Sequence, residues 1–228
     1  ADPRQDKSTA RYYRSGGENL GDTALGHTWG LLRWAPEDPD GWTYQLGMAG
    51  MAYSRFRLSG GVNEFQTIDF FASVPLELRR RNVSGRIKLF HESSHLGDDY
   101  IRRTKSTGFS YSIDGLGVIA SWDAHPQARV YGGGTLLMHG VPSKQWGGLQ
   151  YGFELKTKDM GWVPQRETYV YLAQDFQNNN RVDMNLNSRT EFGLRVGIPR
   201  IVRSLRVHGG YFVGHSELGQ FYTVPEHY

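Results

Sequence analysis

The sequence predicts an all-β fold, a single antiparallel transmembrane β-barrel of about twelve strands occupying residues 1–228. Period-two alternation over segments longer than ordinary strands is the first reason. The second is composition: only 38% of the 228 residues are hydrophobic, while glycines number 29 and aromatics reach 13%, a balance that suits an apolar outside around a wet interior. The third is that Trp34, Trp42, Trp122, Trp146 and Trp162 all stand beside turns, as an aromatic girdle at a membrane surface requires. No run of about 18 apolar residues occurs, so a helical span is excluded; a barrel strand needs only about 9–11 residues, half of them facing lipid.

Taken in order, the first strand falls at about 7–14, and turn-forming residues then cluster at 15–22, 36–41, 59–63, 80–82, 96–108, 125–127, 141–145, 159–165, 177–180 and 199–203. Between them, residues 64–79 set Ile68, Phe70, Ala72, Val74, Leu76 and Leu78 against Asp69, Glu77 and Arg79. Alternation recurs at 149–156. It is clearest at 181–197, where Val182, Met184, Leu186, Phe192, Leu194 and Val196 oppose Asp183, Arg189, Glu191 and Arg195. These segments make eleven strands. Barrels of this type close on even numbers, so a twelfth strand is expected beyond Tyr228, with 224–228 leading into it. No signal peptide is present, and Ala1-Asp2-Pro3-Arg4 reads as a processed start. With both termini on the periplasmic side, the turns at 15–22, 59–63, 96–108, 141–145 and 177–180 face the exterior.

Cysteine is absent, which excludes a disulfide framework and a Cys-based metal site. The net charge of +3 is scattered along the strands instead of gathered in one stripe, which argues against nucleic-acid binding. On the polar parity, Asp69, Glu77, Arg79, Arg86, Glu92, Arg129, Glu154, Arg189, Glu191 and Arg195 form a lumen set of mixed sign, either interlocked as a salt-bridged plug or lining a narrow pore. His215 and Ser216 read as rim residues.

One segment carries chemistry: His91-Glu92-Ser93-Ser94-His95-Leu96-Gly97-Asp98-Asp99-Tyr100. It contains H-E-x-x-H, which binds zinc when it lies on a helix. Here Val83, Gly85, Ile87 and Leu89 alternate with Ser84, Arg86 and Lys88, so the motif lies on a strand and its two histidines stand about 13 Å apart, too far to share one ion. The lipid-facing parity of Val83, Ile87 and Leu89 continues through His91, Ser93 and His95. His91 and Ser93, with Cα atoms about 6.6 Å apart on one face, pair as general base and nucleophile where a lipid ester lies. The plainer account is that the strand leaves the hydrocarbon at Phe90 and these are interfacial residues. Glu92 faces the lumen, Gln66 is the nearest outward polar residue of the preceding strand, and Phe109 and Tyr111 are the expected outward neighbours on the next, which leaves a third catalytic member and an oxyanion donor unassigned.

The runs Ala1-Asp2-Pro3-Arg4, Phe90 to Asp99, and Gly214-His215-Ser216-Glu217-Leu218-Gly219-Gln220-Phe221-Tyr222 resemble, in order, a bacterial outer-membrane β-barrel family of unknown function. The likeness spans nearly the whole chain and implies barrel fold and location in the outer membrane of a Gram-negative bacterium, not activity. A narrower similarity, confined to His91 and Ser93, is to outer-membrane phospholipase A and lipid A deacylase, whose catalytic His and Ser are spaced H-x-S on an outward strand face; the residue after the serine, Asn in those enzymes, is Ser94 here. That similarity implies calcium near Asp98 and Asp99 if the protein is a hydrolase, and no cofactor otherwise. Two functions follow as expectations: a structural or partner-binding barrel or narrow channel, or a lipid acyl hydrolase. The expected partners are outer-membrane lipids and lipopolysaccharide, with a membrane or periplasmic protein.

Overall fold

The computed structural model describes residues 7–38, 40–61, 63–142, 146–198 and 201–228. They form one sheet of twelve strands in sequence order, each antiparallel to the next: β1 (Thr9–Ser15), β2 (Glu18–Trp34), β3 (Thr43–Arg57), β4 (Glu64–Arg80), β5 (Val83–Leu96), β6 (Ser112–His125), β7 (Ala128–Val141), β8 (Gly147–Lys156), β9 (Thr168–Asn179), β10 (Leu186–Ile198), β11 (Ile201–His215) and β12 (Pro225–His227). A short helix, α1 (Asp98–Thr104), lies between β5 and β6. The β1–β2, β3–β4, β5–β6, β7–β8, β9–β10 and β11–β12 connections share its end of the barrel. The opposite end, referred to as the short-turn end, carries the remaining turns.

Several expected boundaries shift. The turn at 15–22 shrinks to Gly16-Gly17, whose φ values of 58° and 83° reverse the chain in two residues, so β2 starts at Glu18. The strand placed at 181–197 begins only at Leu186. Residues 177–179 continue β9, then Asn180–Val182 form a 3₁₀ turn and Asp183 and Met184 take positive φ, which removes Asp183 from the lumen parity. The twelfth strand lies inside the chain, as Pro225–His227 paired with the end of β11. Residues 1–4, 143–145 and 199–200 of the sequence-predicted features lie outside the described residues.

Burial is inverted relative to an ordinary core. Leu25, Leu89, Val118, Leu136, Leu149, Phe192 and Leu205 are exposed on the outer face, while Asp22, Arg55, Asp69, Asp175 and Arg189 are buried inside. An exposed apolar band of this size needs an apolar surrounding. Trp34, Trp42, Trp122 and Trp162 are exposed beside the short-turn end and Trp146 beside the α1 end, as the girdle requires.

β1 and β12 do not pair in a ladder among the described residues; side chains close the seam between them. Tyr13 of β1 stacks on Tyr228 at 3.9 Å and donates to Asp22 at 3.0 Å. Arg55 of β3 binds Asp22 of β2 at 2.9 Å and also pairs with Glu226 of β12. Arg189 of β10 pairs with Glu217 and donates to the Tyr228 hydroxyl at 3.2 Å.

Replacing Arg55 by Ala strands two buried carboxylates and is expected to destabilise the barrel by about 3–5 kcal/mol. Urea unfolding of the refolded protein in lipid vesicles measures it; the triple change Arg55→Met, Asp22→Asn, Glu226→Gln should recover most of the loss. By the same assay Val118→Arg, on the outer face, is expected to cost about 2–4 kcal/mol.

Candidate active site

On β5 the parity is as expected: His91, Ser93 and His95 point outward, Glu92 and Ser94 inward. Strand register then decides their neighbours. His91 stands opposite Ala72 on β4 and Asp114 on β6, and Ser93 stands between Phe70 and Ser112. His91 Nδ1 lies 2.8 Å from Asp114 Oδ1, with both side chains about half exposed on the outer face. A carboxylate only accepts, so the imidazole donates from Nδ1 and leaves Nε2 free to take a proton. Asp114 is therefore the acid behind the histidine. Ser93, half-buried, makes no side-chain hydrogen bond among the described residues, and the His91–Ser93 bond itself is not formed.

Phe109 and Tyr111 do not take the expected outward places. The β5–β6 connection includes α1 and runs to Tyr111, so β6 opens at Ser112; Tyr111 points inward, buried, and donates to Glu92 at 3.3 Å. Nor does Gln66 approach His91: it donates to Glu64 at 3.4 Å near the start of β4. Asp114 did leave a trace in the sequence, as the acidic member of the outward set Leu116, Val118, Ala120 and Trp122. His139 left none. A bulge at Met138 of β7 turns it outward opposite Asp114, against the parity set by Leu136.

The strand is held from behind. Between β11 and β12 the chain folds into the barrel, with a 3₁₀ turn at Gly219–Phe221. Its Leu218, wholly buried, packs on Ala24, Met51 and Tyr53, while Tyr222 packs against Tyr111, Ile113 and Leu137. Ser94 donates to Asp69, and Asp69 also accepts the Gly219 N–H at 3.0 Å. Gln220 receives no slack: its N–H reaches Ser94 Oγ at 3.0 Å and its Nε2 donates to the carbonyls of Ser94 at 2.9 Å and Phe109 at 2.8 Å. These bonds fix the inward residues that alternate with His91, Ser93 and His95. His215 and Ser216, expected at the rim, lead into this plug.

Asp98 and Asp99 open α1. Asp99 accepts the Phe65 N–H at 3.2 Å and pairs with Arg102 at 3.3 Å, while Asp98 is exposed. Calcium takes about six to eight oxygen ligands. No group of three acidic or histidine donors forms among the described residues, so these two aspartates do not by themselves fit the ion. Nor does the H-E-x-x-H spacing act as a zinc site, since Glu92 is turned into the lumen between outward histidines.

The lumen set divides between two regions. Asp69 meets the plug, Glu92 accepts from Tyr111 beside it, and Arg189 belongs to the seam network. Glu77, Arg79, Arg86, Arg129, Glu154, Glu191 and Arg195 line two cavities of about 430 and 510 Å³ toward the short-turn end. Of these, Arg86 pairs with Glu77 at 2.6 Å, and Arg79 and Arg129 share Asp123 at 2.9 and 2.6 Å.

A twelve-stranded antiparallel barrel, apolar outside, plugged at one end and carrying a His–Asp pair on its outer wall, defines the class of protein. The chain belongs to the DUF1207 family of proteins of unknown function, whose family model matches residues 1–228. Curated protein sequences give no match. Among solved structures it is similar to the Salmonella typhi outer membrane phospholipase dimer with bound calcium, with a TM-score of 0.60 and 12% identity over 100% of this chain and 90% of that one. That likeness establishes a shared fold.

Gln220→Ala removes three side-chain bonds, one to Ser94 on β5 and two to Phe109 in its connection, and is expected to cost about 1–3 kcal/mol. Hydrogen exchange should quicken at the amides of 91–95 and leave β8 unchanged; uniform exchange would contradict the latch.

Proposed function

We propose that the protein is an outer-membrane lipid acyl hydrolase, with the α1 end facing the exterior and outer-membrane lipids as substrate. The observation that carries this reading is the 2.8 Å His91–Asp114 contact on the outer face, beside the outward Ser93. Ionisable side chains on a lipid-facing wall are costly and are kept where they act. Along the same strands, Leu89, Leu116 and Leu136 form a register row on the side away from α1, and the polar row stands above it, at the depth where ester linkages meet the acyl chains.

In the reaction, Ser93 Oγ attacks the ester carbonyl carbon as His91 Nε2 takes the hydroxyl proton, and the carbon–oxygen bond to the alcohol breaks as His91 returns that proton to the leaving oxygen. Water, deprotonated by His91, then attacks the acyl carbon, and the bond to Ser93 Oγ breaks as His91 returns the proton to that oxygen, releasing the fatty acid. Asp114 holds the ring tautomer and stabilises the imidazolium. Serine–histidine bonds of this kind are often long without substrate, and rotation of Ser93 about its Cα–Cβ bond moves Oγ relative to Nε2. The phospholipase barrel supports the reading only through its fold.

The plug favours a closed barrel over a channel as the second reading, a structural or partner-binding protein. Ester hydrolysis on mixed micelles is expected to fall by about 10³-fold or more in Ser93→Ala and by about 10²–10⁴-fold in Asp114→Ala. Equal, background-level turnover in wild type and Ser93→Ala would sink the enzyme and leave the structural barrel. Planar bilayers should remain silent.

A further inference from the structure

The unplugged half of the lumen holds a feature that neither fold nor hydrolysis explains. Arg195 of β10 and Arg206 of β11 are direct register partners, two like charges side by side in the ladder. Such pairs destabilise a sheet unless something neutralises them. Both line the 510 Å³ cavity, with Lys156 beside them. None of the three forms an ion pair among the described residues. Their contacts are aromatic: Arg195 donates to the Tyr169 hydroxyl, Arg206 lies 5.9 Å over the Tyr171 ring, and Lys156 lies 4.9 Å over Tyr169. The buried Nε of Arg195 has no hydrogen-bond partner among the described residues.

We propose that this cavity is a binding site for an anionic solute, a phosphate or carboxylate group seated between Arg195 and Arg206. Two adjacent guanidinium forks match the oxygens of such a group, and the enclosing wall strengthens the attraction. Lys156 adds charge at the same wall. Glu191, also buried, presents an Oε1 with no hydrogen-bond partner among the described residues, which suits a hydroxyl or amine on the same ligand. Glu154 lines the same cavity and limits how much negative charge the site accepts. The ligand class is thus a small phosphorylated or carboxylated solute bearing donors, entering from the short-turn end. Lipid esters on the outer wall have no access to this interior surface, so the inference stands apart from hydrolysis.

Calorimetric titration of the full chain in detergent micelles, with inorganic phosphate and with glycerol 3-phosphate, tests the site. Both should bind, glycerol 3-phosphate more tightly. Arg195→Gln and Arg206→Gln should each weaken both ligands at least about tenfold, while Glu191→Gln should weaken glycerol 3-phosphate and spare inorganic phosphate. Because one repelling charge is gone, Arg206→Gln should melt no lower than wild type in phosphate-free buffer, and phosphate should no longer raise its Tm. Arg206→Lys, which keeps the charge but loses the fork, provides a second variant and should also bind more weakly. Absence of binding up to about 10 mM of either probe, or equal affinity in wild type and the arginine variants, would overturn the proposal.

Discussion

Arg55 holds the barrel together at its weakest line. A sheet closed on itself removes its edges, but here the first and last strands meet through side chains, and the last strand is only three residues long. Arg55 reaches from β3 to Asp22 on β2 and to Glu226 on β12, all three nearly inaccessible to water. A guanidinium between two carboxylates in such a place binds through geometry and full hydrogen bonding, since desolvation takes back much of the Coulomb gain. Tyr13 and Tyr228 stack beside it and exclude water from the seam. Because β12 is held, the 216–224 connection before it is held too, and the plug has a fixed anchor.

That anchor gives the lumen its asymmetry. Toward α1 the interior is a small packed core, with Leu218 against Met51 and Tyr53 and Tyr222 against Tyr111, tied by Gln220 to the inner face of β5. Toward the short turns the same interior face is open and charged. A barrel strand shows one face inside and the other outside, so whatever stiffens Glu92 and Ser94 stiffens His91 and Ser93. The outer site thus inherits its rigidity from a loop it never touches. In the other half Arg195 and Arg206 lie against Tyr169 and Tyr171, and the like-charged pair faces a cavity.

The outer wall states the functional question in energetic terms. A histidine and an aspartate among Leu89, Leu116 and Leu136 lose solvation when lipid covers them, and a hydrogen bond between them offsets only part of that loss. Their pairing across two strands at the upper margin of the apolar band is the arrangement a serine two residues away needs, and it is not one that barrel stability needs.

Alternation alone determined the barrel, its inside and outside, the inward turn of Glu92 and the outward turn of His91 and Ser93, because side-chain direction on a strand has a period of two and is written locally. Parity also placed nearly all of the lumen set. Local pattern does not carry register. That Asp114 and not Tyr111 stands beside His91 depended on the length of the α1 connection, and the outward turn of His139 depended on a bulge at Met138. The plug was invisible for a related reason: Gln220 meets Ser94, 126 residues earlier in the chain, a contact made only once the sheet has curled round. Likewise the neighbouring of Arg195 and Arg206, and the closing of the seam by Arg55, are products of strand pairing. The sequence determined which face most residues take, Asp183 and His139 being exceptions set by a turn and a bulge; the tertiary structure alone decided which residues meet, because meeting depends on register and closure across the whole ring.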